Sequence, residues 1–151
     1  MRKVTISINR QERGMNPESS QQVFVTGRLA ERGGKFYAVY EEPPSTGLEG
    51  TRTTIKWDVD RVLLLRSGAV EHRQEFKAGL VDIGVYKTQG LCLPVSSRTS
   101  SVSVVAEASV WRICIEYSME ISGDSPCEIT LKILIEEENK GGYKENTGTG
   151  N

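Results

Sequence analysis

A single histidine and three scattered cysteines leave this 151-residue chain poor in the side chains from which metal centres and thiol chemistry are built. Cys92, Cys114 and Cys127 show no paired metal-ligand spacing, and an odd, sparse count fits a reducing compartment. No apolar run approaches the roughly 20 residues of a membrane-spanning helix. The N-terminal RKVTISINRQ also lacks the apolar centre of a secretory signal. Neither sign of charge dominates: 19 basic residues stand against 20 acidic ones, so no strong field draws the chain to nucleic acid or to an anionic membrane. Gly-rich phosphate loops, zinc-protease helices, nucleophile elbows and paired-carboxylate patterns are missing. These absences predict a cytoplasmic protein with no cofactor, no metal and no nucleic-acid or membrane partner, and they disfavour an enzyme.

What the chain has in quantity is period-two alternation. Val4, Ile6 and Ile8 alternate with polar residues, as do Val23, Val25, Gly27 and Leu29. Phe36, Ala38 and Tyr40 share one face of the next run, with Gly33-Gly34 as the turn before it. EEPPSTGLEG, residues 41 to 50, has no strand character and reads as a longer loop. Late in the chain, Trp111, Ile113, Ile115, Tyr117, Met119 and Ile121 alternate, and so do Cys127, Ile129, Leu131, Ile133 and Ile135. For these two sets to share a side, paired numbers must sum to an even value, which gives the loop around Ser122-Gly123-Asp124 three or five residues. Cys114 and Cys127 then fall on opposite faces, which argues against a disulfide.

The chain is organised around residues 50 to 79, where turn signals separate three short alternating runs, the pattern of an antiparallel meander. Taking Ser67-Gly68 as a two-residue turn places Leu65 opposite Val70, Leu63 opposite His72 and Arg61 opposite Gln74. A three-residue loop Asp58-Val59-Asp60 places Trp57 opposite Arg61 and Ile55 opposite Leu63. This register predicts a core face of Thr53, Ile55, Trp57, Leu63, Leu65, Val70, His72 and Phe76. It leaves Val62 and Leu64 on the outer face with Arg52, Lys56, Arg66, Glu71, Arg73, Glu75 and Lys77. Beyond Gly79, a turn at Gln89-Gly90 sets Thr88 opposite Leu91, Tyr86 opposite Leu93 and Gly84 opposite Val95. The Ser/Thr-rich stretch from Ser96 and the weaker strand after it have no pairing readable from pattern alone.

About ten short strands, joined mostly in sequence and without an amphipathic helix, predict an all-β fold, an antiparallel up-and-down meander closing into a barrel of about 8–10 strands. One domain over residues 1–138 is expected, with the polar, glycine-rich 139–151 as a disordered tail.

Tyr40-Glu41-Glu42, Gly50, Thr53-Thr54-Ile55-Lys56, the run Val62 to Val70, Phe76, Gly79, Tyr86-Lys87-Thr88 and Tyr117 resemble the YwiB-like family of small bacterial domains of unknown function. The likeness extends over roughly residues 2 to 137, and its most specific part is the RSGAV turn with the following Phe and Gly. The resemblance implies a calycin-like, lipocalin-type barrel in a cytoplasmic bacterial protein. It carries no established activity and transfers no catalytic residue. His72 stands where that family tends to have an apolar residue such as Met.

Ligand pockets are mostly apolar with a few placed polar groups. The expected interior matches that description, with Trp57, Phe76, Trp111 and Tyr117 as walls and His72, Gln74 and Tyr86 as polar anchors. The expected function is binding of a small apolar molecule inside the barrel. The alternative is a protein-interaction or homodimerisation module, monomer or homodimer, that uses Val62 and Leu64 on the outside of a filled barrel.

Overall fold

The computed structural model describes residues 1–14 and 18–138. Ten strands follow one another: β1 (Arg2–Arg13), β2 (Ser19–Arg32), β3 (Lys35–Glu41), β4 (Thr51–Trp57), β5 (Arg61–Gly68), β6 (Val70–Lys77), β7 (Val81–Thr88), β8 (Leu91–Glu107), β9 (Val110–Ile121) and β10 (Cys127–Glu137). Each pairs antiparallel with its sequence neighbours, and β10 returns to β1 to close the barrel. Closure pairs edges that strands of this length would otherwise leave open. The proposed tail at 139–151 and most of the loop around Pro17 lie outside the described residues.

Alternation sets the inside. Val4 and Ile6 of β1, Leu29 of β2, Ala38 and Tyr40 of β3, Ile55 and Trp57 of β4, Trp111, Ile113, Ile115 and Tyr117 of β9, and Ile129, Leu131, Ile133 and Ile135 of β10 form one continuous core. Gly33-Gly34 makes the β2–β3 turn with both residues at positive φ. Gln89-Gly90 does the same between β7 and β8, giving the Tyr86–Leu93 pairing that the sequence predicts. Met119 opposite Cys127 keeps the even sum in β9–β10. Cys114 therefore points outward and Cys127 packs against the core, and all three cysteines are free. The segment from Ser96 belongs to a single 17-residue β8, whose register shifts between Thr99 and Ser101 where it pairs with β9.

The central meander departs from the predicted register at both ends of β5. Trp57 pairs with Val62, not Arg61, because the turn takes four residues: Asp58 N–H donates to Arg61 O at 3.2 Å. Arg66 pairs with His72, so Ser67-Gly68 is not a two-residue turn. Gly68 instead continues β5 alongside Thr51, at φ 112, where an added Cβ would lie 2.4 Å from the Gly50 carbonyl oxygen. This glycine serves a close backbone approach to the preceding loop, and the reversal spans residues 67 to 71. Both slips are odd, so β5 turns over. Val62 and Leu64 are core, Leu63 and Leu65 are half-buried on the outside, and Arg66 faces the interior. The two slips cancel for β6, whose Val70, His72, Gln74 and Phe76 stay inward. His72 lies opposite Arg66 and Gln74 opposite Leu64, in place of Leu63 and Arg61.

The inside is layered along the barrel. At the end bearing the β2–β3, β4–β5 and β8–β9 turns, Phe36, Trp57 and Trp111 form an aromatic plug. Ring centroids lie 5.1 Å apart for Phe36–Trp111, 5.6 Å for Phe36–Trp57 and 5.9 Å for the tryptophan pair. An aliphatic belt of Ile6, Leu29, Ile55, Ile113 and Ile135 follows. With the core apolar and side chains such as Arg52, Lys56, Arg73 and Arg112 outside, the arrangement is the inverse of a lipid-facing barrel's. Among the described residues no helix is long and apolar enough to cross a membrane.

The barrel wall is weakest between β6 and β7, where only Val70–Thr88 and Glu71–Lys87 pair. Side chains bridge the rest. Glu75 N–H donates to Asp82 Oδ2 at 3.1 Å, and His72 Nδ1 lies 3.3 Å from Val85 O.

Candidate functional site

The end opposite the plug, framed by the 41–50 loop and the β5–β6, β7–β8 and β9–β10 connections, holds a cavity of about 290 Å³. That volume sits at the small end of ligand pockets. Ile8, Val23, Leu64, Val95, Leu131 and Ile133 supply apolar wall, and Thr46 and Leu48 of the loop reach over it. The loop is held in place by a 3-10 turn at Pro44–Thr46 closed by Gly47 in the left-handed region, and Thr46 Oγ1 donates to Pro43 O at 3.0 Å.

Polar side chains enter this cavity from alternate positions of strands whose other inward residues are apolar. Arg10 continues the inward set of β1, Glu42 that of β3, and Arg66 that of β5. The Glu42 side chain is only 2 % exposed. Burial of a carboxylate demands partners, and Thr53 Oγ1–H donates to Glu42 Oε2, with Arg66 Nε at 3.9 Å from the same oxygen. Tyr40 lies beside Glu42. Burial, together with that neighbouring charge, pushes its phenol well above the usual range. Arg10 pairs with Glu12 through Nη1 and Oε2. Burial also raises the Tyr117 phenol, opposed by the charge and hydrogen bond of Arg10.

His72 has its pKa lowered, first by burial and further by the Arg66 charge, while the hydrogen bond to Val85 pulls the other way. Because a carbonyl only accepts, Nδ1 carries the proton in the neutral ring. Gln74 is 4 % exposed, and its Nε2 has the Met119 sulfur at 3.8 Å as partner.

The seven sequence-predicted interior residues thus divide. His72, Gln74, Tyr86 and Tyr117 come together in the cavity wall, and His72 and Tyr86 lie with ring centroids 5.4 Å apart. Trp57 and Trp111 belong to the plug at the far end, and Phe76 packs under the cavity against Tyr117 at 4.7 Å. These three are buried in the core and do not line the cavity. Arg10, Tyr40, Glu42 and Arg66 complete the site without having been singled out by sequence. Extending the parity of Val4-Ile6-Ile8 and of Phe36-Ala38-Tyr40 by one step would have found Arg10 and Glu42. Arg66 was hidden by the register slip. Among the described residues no group of three or more His, Cys, Asp or Glu is arranged to hold a metal ion.

Comparison with known proteins places this architecture. Residues 5–133 match the sequence model of the family described as Domain of unknown function (DUF1934). The chain is 30 % identical over 99 residues to the uncharacterized beta-barrel protein YwiB of Bacillus subtilis (strain 168), covering 66 % of this chain and 68 % of that protein. It superposes on the crystal structure of the ywiB protein from Bacillus subtilis with a TM-score of 0.81 and 25 % identity, over 91 % of this chain and 93 % of the other.

Proposed function

We propose, for a chain that belongs to the DUF1934 family of β-barrels, that the open end of the barrel binds one small molecule with an apolar body and a polar head. The observation that carries this reading is the unequal filling of the interior. Aromatic rings plug one end, whereas the other keeps a cavity of about 290 Å³ into which arginine, glutamine, histidine and tyrosine side chains project from aliphatic walls. Buried polar groups cost stability unless they are partnered, and a ligand's head group supplies such a partner. The expected small, largely apolar ligand is narrowed to an amphiphilic one because the cavity is polar on one side. The reading includes no catalytic step.

Native mass spectrometry of the protein as isolated, with thermal-shift measurements against a set of small amphiphiles, tests it. One-to-one binding that Val23→Trp abolishes by filling the cavity is expected; no member raising the melting temperature would count against it.

A second reading, an interaction module, moves from Val62 and Leu64, which are core, to the outer face of β7. There Ile83 is 78 % exposed, flanked by Val81 and Val85, on the strand least paired to its neighbour. Light scattering of the wild type and Ile83→Lys separates the two: a dimer lost in the variant supports this reading, and a monomer in both removes the homodimer.

A further inference from the structure

Arg66 is the unspent group of the cavity. Its Nε is buried with no hydrogen-bond partner, and the nearest carboxylate oxygen, Glu42 Oε2, lies 3.9 Å away, beyond hydrogen-bond reach. Glu42 accepts instead from the Thr53 hydroxyl. The other arginine of the cavity, Arg10, is committed to Glu12. Gln74 is a diagonal neighbour of Arg66 on the inner face, since Leu64 pairs with Gln74 and Arg66 with His72. Its amide nitrogen spends a donor on a thioether, a weak acceptor. Two buried donors on adjacent strands thus face one cavity without an oxygen acceptor between them.

We propose that these donors hold the carboxylate of a small amphiphilic monoacid, with its hydrocarbon body along Ile8, Val23, Leu131 and Ile133. This rests on the cavity being a ligand site. A guanidinium presents its donors in a fork that matches a carboxylate, and burial strengthens the pairing relative to water. The charge count selects a monoanion over a phosphate dianion. Glu42 lies 3.9 Å from Arg66 and Glu12 pairs with Arg10, so among the described residues lining the site no cation without a carboxylate beside it remains to balance a second negative charge. Acetate carries the head without the body and leaves the aliphatic wall uncovered.

Calorimetric titration of the full chain with sodium octanoate, 1-octanol, sodium acetate and octyl phosphate tests the assignment. Octanoate is expected to bind one site at least tenfold more tightly than each of the other three, and Arg66→Gln to weaken octanoate at least tenfold and octanol severalfold less than that. Because Arg66→Gln also removes the cation beside Glu42, Gln74→Met serves as a second variant, with a severalfold loss for octanoate alone. Octanol binding as tightly as octanoate would overturn the carboxylate and leave the ligand cavity standing. Octyl phosphate binding more tightly would overturn the monoanion. No binding by any probe would overturn the ligand cavity and this inference together.

Discussion

His72 shows how one side chain can be placed correctly and still be surrounded differently from expectation. Its inward direction follows from the parity of β6, but its neighbours Arg66, Tyr86 and the Val85 carbonyl come from three strands. Its folded pKa lies below 6.5, chiefly because burial penalises the charged ring. The unfolded chain therefore takes up the proton first as pH falls. Stability should be flat above about 6.5 and decline as the pH drops from there toward the folded value. Urea midpoints at pH 7.5 and 5.5 are expected to show this loss, and His72→Gln to reduce it. An equal loss in the variant would assign the dependence to other groups.

At the scale of elements, the turn chemistry decides the register, and Gly68 is the instructive case. A glycine after serine between two alternating runs has the local look of a tight hairpin turn, yet Gly68 extends β5 against the Gly50 backbone. Gly68→Ala must place a Cβ against that carbonyl and hold a positive φ, a strain of roughly 2 kcal/mol or more. Gly34→Ala, at φ 81 with open space around it, should cost about 1 kcal/mol. Urea unfolding of the two variants measures the difference, and equal losses would contradict the close approach. The β6–β7 seam makes a second prediction. With two residue pairs in its ladder, those amides of residues 72–77 and 81–86 that point into the seam should exchange fastest of any strand interior, while their neighbours bonded to β5 and β8 stay protected. Asp82→Ala should speed the Glu75 amide further, since Asp82 Oδ2 is its acceptor.

Across the whole molecule, closure through β1 and β10 makes the plug and the cavity two ends of one cooperative unit. Both tryptophans sit in the plug, so their fluorescence reports that end, while far-UV circular dichroism reports every strand. The two signals should give coincident urea transitions. A fluorescence transition that precedes the other would mean that the plug comes apart separately. A molecule entering the opposite end should raise the melting temperature with little change in the tryptophan emission maximum.

Sequence alone determined the class of fold, the strands and the inward faces of most of them, because a half-buried strand writes its burial into every second residue. It also identified His72, Gln74, Tyr86 and Tyr117 as inward-facing. The sidedness of β5 and the division of the interior into plug and cavity were decided only in three dimensions. Val62 through Leu65 are apolar on both faces, so their pattern fits either register, and the lengths of the turns at 58–61 and 67–71 choose between them. In the same way, parity says that a side chain points inward but not how far along the barrel it lies. That depends on strand stagger, which sent Trp57 and Trp111 to one end and gathered Arg10, Glu42 and Arg66 at the other.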